Sequence, residues 1–93
     1  MSYELAFLDE ALKEWRKLEN SVREQFKAKL VERVESPRVS QAKLRGHPDR
    51  YKIKLRGVGY RLVYEVRDRL LIVVVIAVGK RERNAVYKTA AKR

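Results

Sequence analysis

Lys52, Lys54 and Arg56 alternate with Tyr51, Ile53 and Leu55, and Arg61 follows just beyond Gly57-Val58-Gly59. On a β-strand this alternation puts the three cations on one face, consecutive ones about 6.5–7 Å apart. A hairpin through the glycines adds Arg61 as a fourth. A solvated strand face, or a charged edge that blocks aggregation, would also carry bases. Such a face would usually mix signs, however, and residues 50 to 64 contain no acid. Gathered cations repel one another, which costs stability with no structural return, so the pattern points to a polyanion site. Chemistry is available to it as well. A lysine crowded by other cations is pushed toward its neutral form and can remove a proton, whereas arginine stays charged and stabilises phosphate-borne charge.

Gly79-Lys80-Arg81-Glu82-Arg83 forms a second basic cluster, directly after the longest apolar run. It reads either as functional groups held at the end of a buried strand or as a plain basic loop. Tyr87 follows, either to pack its ring on the sheet or to stack on a base. Other chemistries are set aside. His47 is the only histidine; it lies between Gly46 and Pro48, so a turn role is expected and a two-histidine acid–base pair is excluded. The chain has no cysteine, hence no disulfide and no thiolate or Cys/His zinc chemistry, in keeping with a reducing cytosol. It has no glycine-rich phosphate loop. Asp49 and Asp68 read as separate turn residues rather than a metal-binding pair. A nuclease built on this chain would need no metal and no cofactor, and would use lysine, arginine and tyrosine.

The elements that must position these groups follow from periodicity. Ninety-three residues make one domain, spanning 1–93. The formal charge of +11 is uneven: residues 1–36 hold eight acids and seven bases, residues 37–93 four acids and sixteen bases. Tyr3, Leu5 and Phe7 alternate as in a short strand. Leu8, Ala11, Leu12, Trp15 and Leu18 form one stripe on a helix. Ser21-Val22-Arg23-Glu24 suggests a capping box opening a second helix, whose inward ladder is Val22, Phe26, Leu30 and Val34 and which Ser36-Pro37 stops. Residues 38–50 connect to three strands expected at 51–56, 60–67 and 70–78. The last is apolar on both sides and should be central and covered on both faces. A short helix from about Asn84, with Ala85, Val86 and Ala90 or Ala91 inward, would supply the second cover. The fold expected is α+β: an N-terminal strand, an antiparallel helical hairpin, a three-stranded antiparallel sheet and a short C-terminal helix. No targeting segment or membrane span is expected, and so large a charge disfavours self-association, leaving a monomer.

Lys43-Leu44-Arg45-Gly46, Tyr51-Lys52-Ile53-Lys54-Leu55, Tyr60-Arg61-Leu62-Val63-Tyr64-Glu65-Val66 and Val78-Gly79-Lys80-Arg81-Glu82 through Val86-Tyr87 resemble the RelE toxins of bacterial type II toxin–antitoxin modules, within the RelE/ParE superfamily. The helical half agrees, in Leu12-Lys13-Glu14-Trp15-Arg16-Lys17-Leu18 and Val22-Arg23-Glu24-Gln25. The resemblance implies a ribosome-dependent mRNA endonuclease that acts in the decoding site of the 70S ribosome. It would cut by attack of a 2′-hydroxyl on the adjoining 3′-phosphate, and a RelB-like antitoxin would neutralise it. It implies Lys54 as general base, Lys52 polarising the substrate, Arg61 stabilising phosphate charge, Arg81 at the leaving 5′-oxygen and Tyr87 stacking on a base. Arg45, Arg56, Lys80 and Arg83 are expected to contact RNA, ribosomal RNA included, in a bacterial or archaeal cytoplasm. Two other readings stay open. One is a ParE-like toxin acting on gyrase, a branch that generally lacks the basic set; the other is a small basic RNA-binding protein without catalysis.

Overall fold

The alternation of Tyr51, Ile53 and Leu55 against Lys52 and Lys54 is realised in a strand that buries the first three and leaves the lysines part-exposed. In the computed structural model, which describes residues 2–93, the order is β1 (Glu4–Phe7), α1 (Asp9–Arg16), α2 (Asn20–Glu35), β2 (Arg50–Leu55), β3 (Tyr60–Arg67), β4 (Ile72–Lys80) and α3 (Ala85–Ala91). Single 3₁₀ turns at Ser40–Ala42 and Asp68–Leu70 lie in the connections. Met1, first residue of the expected 1–93 domain, lies outside the described residues.

The sheet order is β1-β4-β3-β2. β2, β3 and β4 pair antiparallel as expected, but β1 joins them, parallel to β4 with Glu4 opposite Ile72 and Phe7 opposite Val75. The sheet is therefore four-stranded and mixed. Periodicity marks Tyr3 to Phe7 as extended but carries nothing about its partner, which the two-helix crossover supplies. β4 also begins two residues later than expected. Asp68–Leu70 closes a 3₁₀ turn and Leu71 takes a left-handed conformation (φ 52°) before extended backbone resumes.

β4 is the central, two-sided strand that its composition requires. Val73, Val75 and Val78 pack with Trp15, Phe26, Leu30 and Tyr64 beneath α1 and α2, whereas Val74, Ile76 and Ala77 pack with Val86 and Ala90 of α3. Ile76 and Ala77 are consecutive yet share a face. The β3–β4 register slips between Val63, opposite Ala77, and Tyr64, opposite Val75, so Ile76 is the extra residue of a bulge. The helices meet through Trp15 and Phe26 (ring centroids 6.3 Å apart). α1 rests mainly on β4 and α2 on β2.

The capping box is not used. α2 starts at Asn20, one residue before Ser21, with Glu19 as N-cap and no side-chain cap bond; the Glu19 carbonyl accepts from the Val22 and Arg23 amides instead. On α3, Val86 and Ala90 are inward while Ala85 and Ala91 are exposed. Among the described residues no helix is long and apolar enough to cross a membrane.

Candidate active site

The cations of β2 point to the α3 side of the sheet. Lys54 lies directly opposite Arg61 in the β2–β3 ladder, and Arg61 lies opposite Gly79 of β4. Like charges in directly opposed positions are destabilising, with Cβ atoms only about 4.5–5.5 Å apart. Gly79 carries no side chain over Arg61, and α3 comes close there: a Cβ on Gly79 would stand 3.5 Å from the Val86 side chain. Arg61 is consequently almost wholly enclosed, with 6% of its surface exposed, and its guanidinium donates to the Tyr60 carbonyl at 2.9 Å.

Arg81 is brought to the same place by backbone bonding. The β2–β3 connection turns through Gly59 (φ 71°), whose amide donates to the Leu55 carbonyl at 2.9 Å. The Gly59 carbonyl accepts from the Arg81 amide at 2.7 Å. The hairpin turn thus fixes where Arg81 leaves β4. Lys54, Arg61, Lys80, Arg81 and Tyr87 line one cleft of about 100 Å³, with Glu82 and Asn84 at its wall. Lys52 joins from the side, its ammonium 5.9 Å from the centre of the Tyr87 ring. Arg56 shares a neighbouring hollow with Lys52 and Lys54. Arg45, in the connector before β2, and Arg83, left-handed at φ 46°, are exposed and line neither.

None of Lys52, Lys54, Arg56, Arg61, Lys80, Arg81 and Arg83 forms an ion pair among the described residues. Of the four acids of the second half, Glu82 stands at the cleft wall and the other three are engaged elsewhere. Arg38 holds both Asp49 (3.0 Å) and Asp68 (2.7 Å), so these two, distant in sequence, meet in space, but on a guanidinium. Arg50 and Arg67 hold Glu65 at 3.0 and 2.7 Å. His47 serves its turn, accepting from the Asp49 amide at 3.1 Å. Among the described residues no group of three or more His, Cys, Asp or Glu side chains is clustered.

The unpaired set acts on Lys54. The ammonium of Lys52 first, then loss of water, then Arg56, Arg61 and Arg81 lower its pKa from the ordinary lysine value. Tyr87 adds one unsatisfied group: its hydroxyl is buried with no hydrogen-bond partner among the described residues. The cleft therefore combines a lysine biased toward its free-base form, fixed positive charge and an idle hydroxyl beside a ring. That set suits proton removal next to a phosphate.

Sequence reasoning does not single out Arg33 or Arg50. Arg33, three residues beyond Leu30 on the inward side of α2, donates to the Tyr64 hydroxyl at 2.8 Å and to the Lys52 carbonyl at 3.3 Å. Arg50, in line with Lys52 and Lys54, donates to Glu65 and, at 2.6 Å, to the Ala90 carbonyl, fastening α3 over the site. An arginine on an apolar helical ladder, and one beginning a strand of same-face cations, were the available signals.

A family model described as the ParE toxin of type II toxin-antitoxin system, parDE, matches residues 5–85. Over all 93 residues the chain is 63% identical to the mRNA interferase toxin RelE of Escherichia coli K12, spanning 98% of that protein. The chain belongs to the RelE toxin family. The family model takes its description from the ParE branch of the superfamily, while the full-length identity is to RelE. Solved RelE structures agree. A free-state arginine-to-alanine double variant of E. coli RelE matches with a TM-score of 0.92 at 61% identity, covering 100% of this chain and 98% of that one. The intact E. coli RelBE toxin-antitoxin complex matches at 0.84 and 63%, covering 88% and 100%.

Proposed function

We propose that the chain is a ribosome-dependent mRNA endonuclease toxin that stops translation by cutting messages in the ribosomal A site. The observation that carries this is the Lys54–Arg61–Arg81 cleft, lined also by Tyr87, whose cations form no ion pair among the described residues although Glu82 stands at its wall. Lys54, in its neutral form, takes the proton of the ribose 2′-hydroxyl. The oxygen attacks the adjoining phosphorus, and the P–O5′ bond breaks to leave a 2′,3′-cyclic phosphate and a departing 5′-oxygen that takes a proton from water to become a 5′-hydroxyl end. Lys52 polarises the substrate and keeps the Lys54 pKa low. Enclosed Arg61 meets the charge that builds on the phosphate, Arg81 the charge on the departing oxygen, and Tyr87 stacks on a base to hold the attacking geometry. Arg45, Arg56, Lys80 and Arg83, all exposed, contact RNA outside the chemistry. No metal or cofactor takes part.

A shallow cleft that contributes no histidine leaves orientation of the message to a second surface, which is the reason for ribosome dependence. The RelE of the solved E. coli complex is bound by its antitoxin, which supports a RelB-like antitoxin as this chain's inhibitor. The site of action is the cytoplasm.

Purified protein added to programmed ribosomes and to naked mRNA tests the reading. Cuts confined to the A-site codon, appearing only with ribosomes, are expected; messages intact in both would refute it. Loss of gyrase supercoiling activity would instead favour the ParE-like action, and RNA binding without cleavage the non-catalytic one.

A further inference from the structure

A second hollow, of about 310 Å³, lies at the outer edge of β2 and is lined by Arg33, Gln41, Lys52, Lys54 and Arg56, with no carboxylate. Its volume stands at the lower end of the roughly 300–1,000 Å³ usual for ligand pockets, about three times that of the cleft at Arg61. We propose that this hollow is a subsite for the message nucleotide on the 5′ side of the cut, with Arg33 and Arg56 gripping that nucleotide's own 5′-phosphate; the assignment rests on the cleavage reading above.

Three observations carry it. Lys54 lines both hollows, so they adjoin at its side chain, one reaching across the sheet to β4 and α3 and the other following β2. Lys52 and Lys54, at strand spacing of about 6.5–7 Å, and Arg56 in the turn just past the end of β2 then form a row of cations that suits a sugar–phosphate chain lying along it. Arg33 reaches the row from the opposite layer and is fixed there. Its Nη1 donates to the Tyr64 hydroxyl and the Lys52 carbonyl, and its guanidinium carbon lies 5.6 Å from the centre of the Tyr64 ring. Those bonds occupy one terminal nitrogen and satisfy no charge. A part-buried, immobilised guanidinium with no carboxylate partner among the described residues is a site for an anion, and a phosphate oxygen is its matched ligand.

Polarity follows from the chemistry. The 2′-hydroxyl that Lys54 deprotonates belongs to the nucleotide 5′ of the scissile phosphate, while Arg81 takes the leaving oxygen of the 3′ nucleotide. The hollow lines Lys54 but neither Arg61 nor Arg81, so it continues the site past the attacking sugar, toward the 5′ end. Gln41, on the Ser40–Ala42 turn, offers an amide donor and acceptor to that nucleotide's base or sugar.

The experiment is single-turnover cleavage on programmed ribosomes, using messages with one uncharged methylphosphonate linkage immediately 5′ of the attacking nucleotide. The wild-type protein should cut the modified message about tenfold more slowly than the unmodified one. The R33Q/R56Q variant should cut the unmodified message slowly and show little further loss on the modified one. Because Arg33 also braces Tyr64, a Q41A/R56Q variant, which leaves that contact intact, repeats the cycle and should show a reduced methylphosphonate penalty. An undiminished penalty in both variants would overturn the proposal. So would weakening of ribosome affinity by the same factor with either message, which would assign the hollow to ribosomal RNA. Failure of the wild-type protein to cut even the unmodified message would sink the cleavage reading as well.

Discussion

Tyr87 gives a test in which stability and activity move in opposite directions. Its hydroxyl is buried without a partner among the described residues, and an unsatisfied buried hydroxyl costs about 1–3 kcal/mol. Tyr87→Phe removes the hydroxyl and keeps the ring, including its position 5.9 Å from the Lys52 ammonium. Taking the low end, the free protein should gain about 1 kcal/mol. For a domain of 60–100 residues that raises Tm by about 4–8 °C, and this chain has 93. Most single substitutions destabilise, so a rise of this size is diagnostic.

Cleavage should respond the other way. If the substrate is the hydroxyl's missing partner, Tyr87→Phe forfeits one hydrogen bond in the complex and slows cleavage by up to about tenfold. Tyr87→Ala also removes the stacking surface, worth about 1–3 kcal/mol per base, and should fall well below the Phe variant. Thermal unfolding by circular dichroism and single-turnover cleavage on programmed ribosomes supply the two readouts. A Tm that falls or does not move in Tyr87→Phe would show that the hydroxyl already has a partner, and the idea of a group held in reserve for substrate would be wrong.

Three further outcomes are expected. The Lys54 pKa is lowered chiefly by Lys52, so Lys52→Gln should shift the rising limb of the cleavage pH profile, on its acidic side, to higher pH, and an unmoved limb would remove Lys54 as the base. Arg50→Ala removes bonds to Glu65 and to the Ala90 carbonyl. With Arg67 still holding Glu65, the loss should be about 2 kcal/mol, read as a lower urea midpoint. Burial raises the Glu65 pKa, but bonds from Arg67 and Arg50 outweigh it and the net shift is downward. That carboxylate's contribution is therefore present at neutral pH and lost as pH falls below the ordinary glutamate range, so the Arg50→Ala deficit should shrink in acid. Lys54→Ala and Arg81→Ala should lower cleavage far more than ribosome binding, while Lys80→Ala and Arg83→Ala should mainly weaken binding and flatten its salt dependence; equal losses in both assays for all four would contradict this division.

Much of this architecture was legible because it depends on local period. Alternation along residues 51–56 states which face of β2 is charged, and the unbroken apolar run of β4 states that both its faces are covered. The parallel pairing of β1 was not legible, since strand composition says nothing about which edge receives it. Nor was the bulge at Ile76, which depends on how β3 and β4 slide past each other. Ser21-Val22-Arg23-Glu24 has the composition of a capping box, but α2 begins one residue earlier at Asn20. Of the site, the cations were visible and their bracing was not. Arg33 and Arg50 act through contacts 31 and 40 residues away in sequence, to Tyr64 and Ala90, and no spacing rule reaches that far.

The distribution of acids explains why a strongly basic chain can hold a defined site instead of a diffuse positive surface. In the second half of the chain, Asp49, Asp68 and Glu65 are each bound by arginines that face away from the cleft or fasten its supports. Arg38 ties Asp68, whose pKa is lowered first by the Tyr3 hydroxyl bond and then by Arg38 itself, so β1, the connector and the β3–β4 turn are joined at one point. Arg93 closes the other end, bound through both terminal nitrogens to Glu14 of α1. Compensated charge thus supports the frame, and uncompensated charge collects between β2, β3 and the start of α3. Mutual repulsion within the cleft is then a stored bias: it lowers the Lys54 pKa before substrate arrives, and a phosphate entering among Arg61, Arg81 and Lys52 relieves it.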